Sequence, residues 1–164
     1  MSTEDNAPES IAVIIPVIAA EPAAAPLPEA PTNITAANPL CTVGRRKKAQ
    51  ARARIHPGEG KVSVNGRTLD DYFSLSVDRT TATRPFAMTC GLKKYDVKVK
   101  VAGGGATGQA DAIALALARA IAILEPITHR AMRDSGLLTR DARVKERKKY
   151  GRRGARRGFQ FSKR

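Results

Sequence analysis

Apolar and polar residues alternate with a period of two in the first clear run of the chain. Ala49, Ala51, Ala53 and Ile55 alternate with Gln50, Arg52 and Arg54, the pattern of a half-buried strand. Residues 57–60 (Pro-Gly-Glu-Gly) predict a turn, after which Val62 and Val64 alternate with Ser63 and Asn65 and stop at Gly66. Two such runs across a short glycine-rich loop predict a hairpin. Thr68, with Asp71 three positions on, resembles a capping box that opens a short helix burying Leu69, Tyr72 and Phe73. Residues 77–91 show no clean period, and a second short helix stopped near Pro85 is one reading of them. The clearest strand follows, with Tyr95, Val97, Val99 and Val101 on one face and Asp96, Lys98 and Lys100 on the other. Beyond a glycine turn at 103–108, Ala110, Ile113, Ala114, Leu117, Ala118, Ile121 and Leu124 recur at helical spacing. Alanine favours the helix and lets it approach a sheet closely. Pro126 ends it, and a shorter helix around 128–135 stops at Gly136, where a left-handed cap belongs. The sum is an α+β fold, a small sheet covered on one face by helices.

Composition turns this outline toward a partner. The 164 residues suit a single domain. Lys and Arg number 29 against 15 Asp and Glu, a net +14 that points to a polyanion, either nucleic acid or an anionic membrane. No run approaches the ~18 consecutive apolar residues of a membrane span, which argues against an integral membrane protein. Cys41 and Cys90 with His56 and His129 make neither a disulfide scaffold nor a four-ligand zinc site. The expectation is a soluble, intracellular, polyanion-binding protein.

Charge is spread unevenly. Residues 1–44 hold five acids, no base and seven of the ten prolines, whereas residues 45–164 net +19 (29 − 10). The acidic segment reads as a flexible, polyproline-like arm, and its acids and lack of arginine fit neither a signal nor a transit peptide. An alternative has Ile11–Ile18 docking as an extended strand on a partner's edge. Residues 140–164 carry twelve bases and two acids, a net +10 that forbids a packed core in isolation. Fully extended they reach ~80–90 Å, at ~3.3–3.6 Å per residue. Arginine forks suit phosphates, glycines at 151, 154 and 158 let the backbone follow a contour, and Tyr150, Phe159 and Phe161 offer stacking surfaces.

Chemistry of the enzymatic kind is missing from the pattern. Gly103, Gly105 and Gly108 match a dinucleotide-binding turn, but the strand before it alternates Lys with Val and no strand with a ribose-binding acid follows. That turn reads instead as a close backbone approach, with a phosphate contact at the helix N-terminus as a further possibility. Neither histidine has a nucleophile or carboxylate at a catalytic spacing. No enzyme, cofactor, metal or small-molecule substrate is expected.

A second basic cluster, Arg45 to Lys48, precedes Arg52 and Arg54 on the outward face of the first strand, and Lys98 and Lys100 extend that face if the strands share a sheet. Taken in order, Gly44-Arg-Arg-Lys-Lys-Ala-Gln-Ala-Arg-Ala-Arg54, Lys61-Val-Ser-Val-Asn-Gly66, Tyr95-Asp-Val97, the three glycines at 103–105 with Gly108-Gln-Ala110, Leu138-Thr-Arg-Asp-Ala-Arg143, Glu146-Arg-Lys-Lys149 and Gln160-Phe-Ser-Lys-Arg164 resemble the bacterial small-subunit ribosomal protein nine family. The resemblance runs from about residue 43 to 164. It implies a structural constituent of the small-subunit head, binding the 3′ domain of the ribosomal RNA beside neighbouring head proteins, in the cytoplasm. It also implies a two-layer α/β sandwich with a left-handed crossover, opposite to the usual hand. On this reading residues 1–42 are an extension, 43–138 a globular RNA-binding domain and 139–164 an extended basic tail. The tail's end, Ser162, Lys163 and Arg164, matches positions that face transfer RNA in the peptidyl site. Arg45, Arg46, Lys47, Lys48, Arg52 and Arg54 match positions that face ribosomal RNA. So do Gly103, Gly104, Gly105 and Gln109, and, in the tail, Arg140, Arg143, Arg147, Lys148, Lys149, Arg152, Arg153, Arg156 and Arg157. Ala114 and Phe159 depart from the family's usual residues. A free nucleic-acid-binding architectural protein and a nucleotide-dependent enzyme are the competing classes.

Overall fold

The computed structural model of the chain describes residues 34–35, 37–89 and 94–162. Most of the acidic segment, Cys90, Lys163 and Arg164 lie outside the described residues, as does the alternative docking strand Ile11–Ile18. Five strands form one mixed sheet: β1 (Leu40–Arg46), β2 (Ala49–Pro57), β3 (Val62–Val64), β4 (Arg67–Thr68) and β5 (Tyr95–Ala102). Their order across the sheet is β1-β2-β5-β3-β4. The helices are α1 (Leu69–Tyr72), α2 (Ser76–Thr89), α3 (Ala106–Leu124) and α4 (His129–Asp134), with a 3-10 turn at Pro126–Thr128. The mixed architecture agrees with the α+β expectation.

The period-two runs become strands whose inward positions build the core. Ala49, Ala51, Ala53 and Ile55 of β2 and Val97, Val99 and Val101 of β5 are all buried. Thr68 caps α1 as expected, its hydroxyl donating to the Asp71 carboxylate at 2.7 Å and accepting from the Asp71 N–H at 3.3 Å. Gly136 takes the left-handed cap, with φ of 75°.

Three expectations fail. β2 and β3 are not a hairpin, because β5 lies between them, antiparallel to β2 over eight residue pairs and parallel to β3 over three. The loop 58–61 crosses the start of β5, held by the Asp96 carboxylate, which accepts from the Gly60 and Lys61 N–H groups at 2.8 Å each. The hairpins are instead β1–β2, turning at Lys47 (φ 52°), and β3–β4, turning at Asn65-Gly66 with both residues left-handed. The Asn65 side chain extends the ladder further, donating to the Val101 carbonyl and accepting from the Val101 N–H. The second failure is α2, which runs through Pro85 rather than stopping at it. Ala82, Pro85 and Phe86 are buried, and threonine hydroxyls at 80, 81, 83 and 89 donate to carbonyls one turn back. Tertiary packing here outweighs the cost of a helical proline. The third is α3, which starts at Ala106 rather than Gln109, and which is long and apolar enough to cross a membrane. A search for unbroken apolar runs misses it because Gln109, Asp111 and Arg119 punctuate it. Ten of its residues are buried in the core, so α3 is the central helix of the second layer.

α3 lies over β1 and β2, and α2 packs against α3. The contact with β1 is backbone-close. The buried Thr42 hydroxyl donates to the Ala116 carbonyl at 2.9 Å, and a Cβ at Gly44 would stand inside the Ala112 carbonyl oxygen and 2.7 Å from the Ala116 nitrogen. Gly44→Ala should therefore force β1 and α3 apart and cost about 3 kcal/mol in urea unfolding, the upper range for overpacking. Gly158→Ala, with open space around it, should stay within about 0.5 kcal/mol of wild type.

Candidate nucleic-acid interface

Burying one face of β2 and β5 commits the other to solvent, and the residues sent there are cations. Arg52 and Arg54 of β2 and Lys98 and Lys100 of β5 are all exposed. The β2–β5 register sets Arg52 directly opposite Lys100 and Arg54 directly opposite Lys98. Like charges at such positions destabilise a sheet. Among the described residues none of the four joins an ion pair within 4 Å. Ser63, Asn65 and Gly66 complete a shallow, open cleft along this face. Arg45 pairs with Gln50 across β1–β2 and stands exposed at the same face, while Lys47 and Lys48 are exposed in the turn beside it. The nearest acid on β5, Asp96, is occupied by the loop N–H groups, chiefly that of Lys61, which hold its carboxyl below the usual value.

Other residues matched to RNA-facing positions have partners inside the protein. Gly103 and Gly104, both with positive φ, let the turn press on the β1–β2 hairpin. A Cβ at Gly103 would come 2.5 Å from the Lys48 carbonyl oxygen, and one at Gly104 2.9 Å from the Ala49 Cβ. The glycine turn is thus a close backbone approach, and only Gly105, the N-cap of α3, has open space around it. Gln109 is a strut: its amide donates to the Gly103 carbonyl at 3.0 Å and its carbonyl accepts from the Tyr72 hydroxyl at 2.8 Å. Arg46 turns inward from β1, its side chain only 13 % exposed, and pairs with Asp111 of α3 at 3.4 Å and Asp141 at 2.8 Å.

After α4 the described chain, residues 139–162, contains no helix or strand. Asp141 also binds Arg143 at 2.6 Å, and that guanidinium, ahead of Arg46, holds the Asp141 carboxyl well below the usual carboxylate range. Glu146 pairs with Arg156 at 2.6 Å and Lys149 at 3.6 Å, and the Arg156 bond lowers its pKa. The Arg153 guanidinium lies 5.3 Å from the Phe159 ring centre, a cation–π geometry. Arg152 donates to the Arg156 carbonyl at 2.7 Å. Arg140, Arg147, Lys148, Arg157 and Ser162 are exposed, with Tyr150 and Phe161 bare. The two acids thus engage only part of the segment's charge. What the strand pattern missed is the pairing of cations across β2–β5, although the alternation in each strand carries half of the signal.

Comparison with known proteins decides what such a surface belongs to. The family model described as ribosomal protein S9/S16 matches residues 44–164. The chain is 48% identical over 123 residues to a small ribosomal subunit protein uS9 of Anaeromyxobacter sp. (strain K), spanning 75% of this chain and 95% of that one. It is 46% identical over 128 residues to the uS9 of Desulfosudis oleivorans, spanning 78% and 98%. The chain belongs to the ribosomal protein S9/S16 family. It is a bacterial small-subunit ribosomal protein, a structural part of the cytoplasmic ribosome and not an enzyme. Residues 1–43 fall outside the family match.

The ion pairs of this family member make a titration prediction. Asp141 has a lower pKa folded than unfolded, so its contribution is complete above the ordinary Asp range and disappears as pH falls through the depressed value. Carboxyl-detected NMR of the RNA-free protein should show Asp141 still ionised at about pH 4, near the unperturbed Asp value. Arg143→Ala should raise its midpoint more than Arg46→Ala does.

Proposed function

We propose that this ribosomal protein binds the 3′ domain of the small-subunit RNA in the subunit head, using the open sheet face and residues 139–164 together. The carrying observation is the two pairs of facing cations, Arg52 with Lys100 and Arg54 with Lys98, which have no acidic partner within 4 Å among the described residues, on a surface whose geometry the core dictates. A phosphate backbone laid along that face gives all four cations an opposite charge to pair with, and the contact reads charge and shape rather than base sequence. The reading takes residues 43–138 as the globular domain, 139–164 as a tail that extends along RNA and 1–42 as an extension. The connection from β3 to the parallel β5, through β4, α1 and α2, is the left-handed crossover of the family. The end of the tail, Ser162, Lys163 and Arg164, contacts phosphates of the peptidyl-site transfer RNA, and other head proteins flank the domain. The net +10 of residues 140–164 supports this role.

Filter binding to a 3′-domain RNA fragment across a salt series tests the face. Each neutralised phosphate contributes roughly 0.7–0.9 to the log–log slope, so replacing Arg52, Arg54, Lys98 and Lys100 by Gln should lower it by about 3. An unchanged slope would remove the face from the interface. A chain ending at Ser162 should still enter subunits, while transfer RNA dissociates from their peptidyl site several-fold faster than from wild type. Equal retention would refute the tail-end contact.

A further inference from the structure

We propose that Arg46 is not an RNA contact but a positioning residue, a clamp that fixes where residues 139–164 leave the domain before any RNA is present. The inference rests on the reading that this segment carries polyanion contacts, and it specifies how the segment is aimed. Arg45 and Arg46 are adjacent in sequence but opposite in fate. The period of β1 sends Arg45 to the exposed face and Arg46 inward. There the Arg46 guanidinium meets three partners from two separate stretches of chain: the Asp111 carboxylate on α3 at 3.4 Å, the Asp141 carboxylate at 2.8 Å and the Arg143 carbonyl at 3.2 Å. A planar fork with five donors can hold all three at once, which an ammonium on the same stem does not reproduce.

The clamp is the last of three ties between the C-terminal segment and the core. Leu137 N–H closes on the Met132 carbonyl at 3.1 Å after Gly136, and Leu137 and Leu138 pack against the buried cluster. Arg46 then takes Asp141 and Arg143. Beyond them Val144 is exposed, and the side-chain bonds of residues 144–162 run within the segment, as in Glu146 with Arg156 and Arg153 on Phe159. Residues already fixed in the free protein need not be ordered on binding, so the clamp limits the entropic cost of engagement to the residues beyond Arg143.

Two roles for Arg46 predict different measurements. Hydrogen exchange on the full-length, RNA-free Arg46→Lys variant should show the Arg143 amide, which donates to the clamped Asp141 carboxylate at 2.8 Å, exchanging at least ten-fold faster, with β2, β5 and α3 unchanged. The same variant should bind the 3′-domain RNA fragment several-fold more weakly with the wild-type salt slope, because no phosphate contact is lost. Asp141→Ala gives the sign. It makes the chain more positive, so simple electrostatics strengthens RNA binding, whereas loss of the clamp weakens it. Unchanged exchange in Arg46→Lys, a slope in Arg46→Ala reduced by roughly 0.7–0.9, or tighter binding by Asp141→Ala would overturn the proposal. Failure of the wild-type chain to bind the fragment at all would sink the RNA reading instead, and the exchange measurement would still decide the clamp.

Discussion

Repulsion between cations that the sheet holds side by side is the constraint on which this structure turns. Arg52 faces Lys100 and Arg54 faces Lys98 because the residues between them, Ala51, Ala53, Val97, Val99 and Val101, must point into the core. A one-residue slip would bury the charges, so the register cannot relax to separate them. Long side chains can splay, but their backbones cannot. The domain therefore sets two pairs of like charges side by side on one exposed face.

The other face makes this arrangement bearable. Its core uses small residues, nine alanines along β2, α2 and α3 among them, and gains density from close approach rather than from bulk. Gly44 and Thr42 let α3 sit against β1 at backbone distance, and Gly103 and Gly104 let the turn before α3 rest on the β1–β2 hairpin. Residues matched to RNA-facing positions thus divide by their contacts. Arg52 and Arg54 are presented outward, whereas Arg46, Gly103, Gly104 and Gln109 hold together the frame that presents them.

Local periodicity made β2, β5, α3 and the cap at Thr68 legible, since each buries a regular stripe of its own residues. Neighbour order was not legible. The insertion of β5 between β2 and β3 depends on a long ladder and on Asp96 gripping a loop thirty-five residues away in sequence, and neither leaves a periodic mark. β1 was hidden for a different reason: beyond Leu40 its inward positions are Thr42, Gly44 and Arg46, which do not read as apolar. α2 continues through Pro85 because Phe86 and Ala82 anchor it, a tertiary effect that propensity cannot foresee. Of the interface, the exposed cations were readable and their partners were not. Nothing near Arg46 in sequence announces Asp111 or Asp141.

The repulsion can be measured directly, as the stability of the RNA-free protein against salt. Urea unfolding between about 0.02 and 0.5 M sodium chloride shortens the screening length from roughly 20 Å to about 4 Å. If facing cations burden the sheet, wild-type stability rises steadily across that range, and the rise is largely lost when Arg52, Arg54, Lys98 and Lys100 are all replaced by Gln. Stability that stays flat or falls with salt in the wild-type protein would contradict the account.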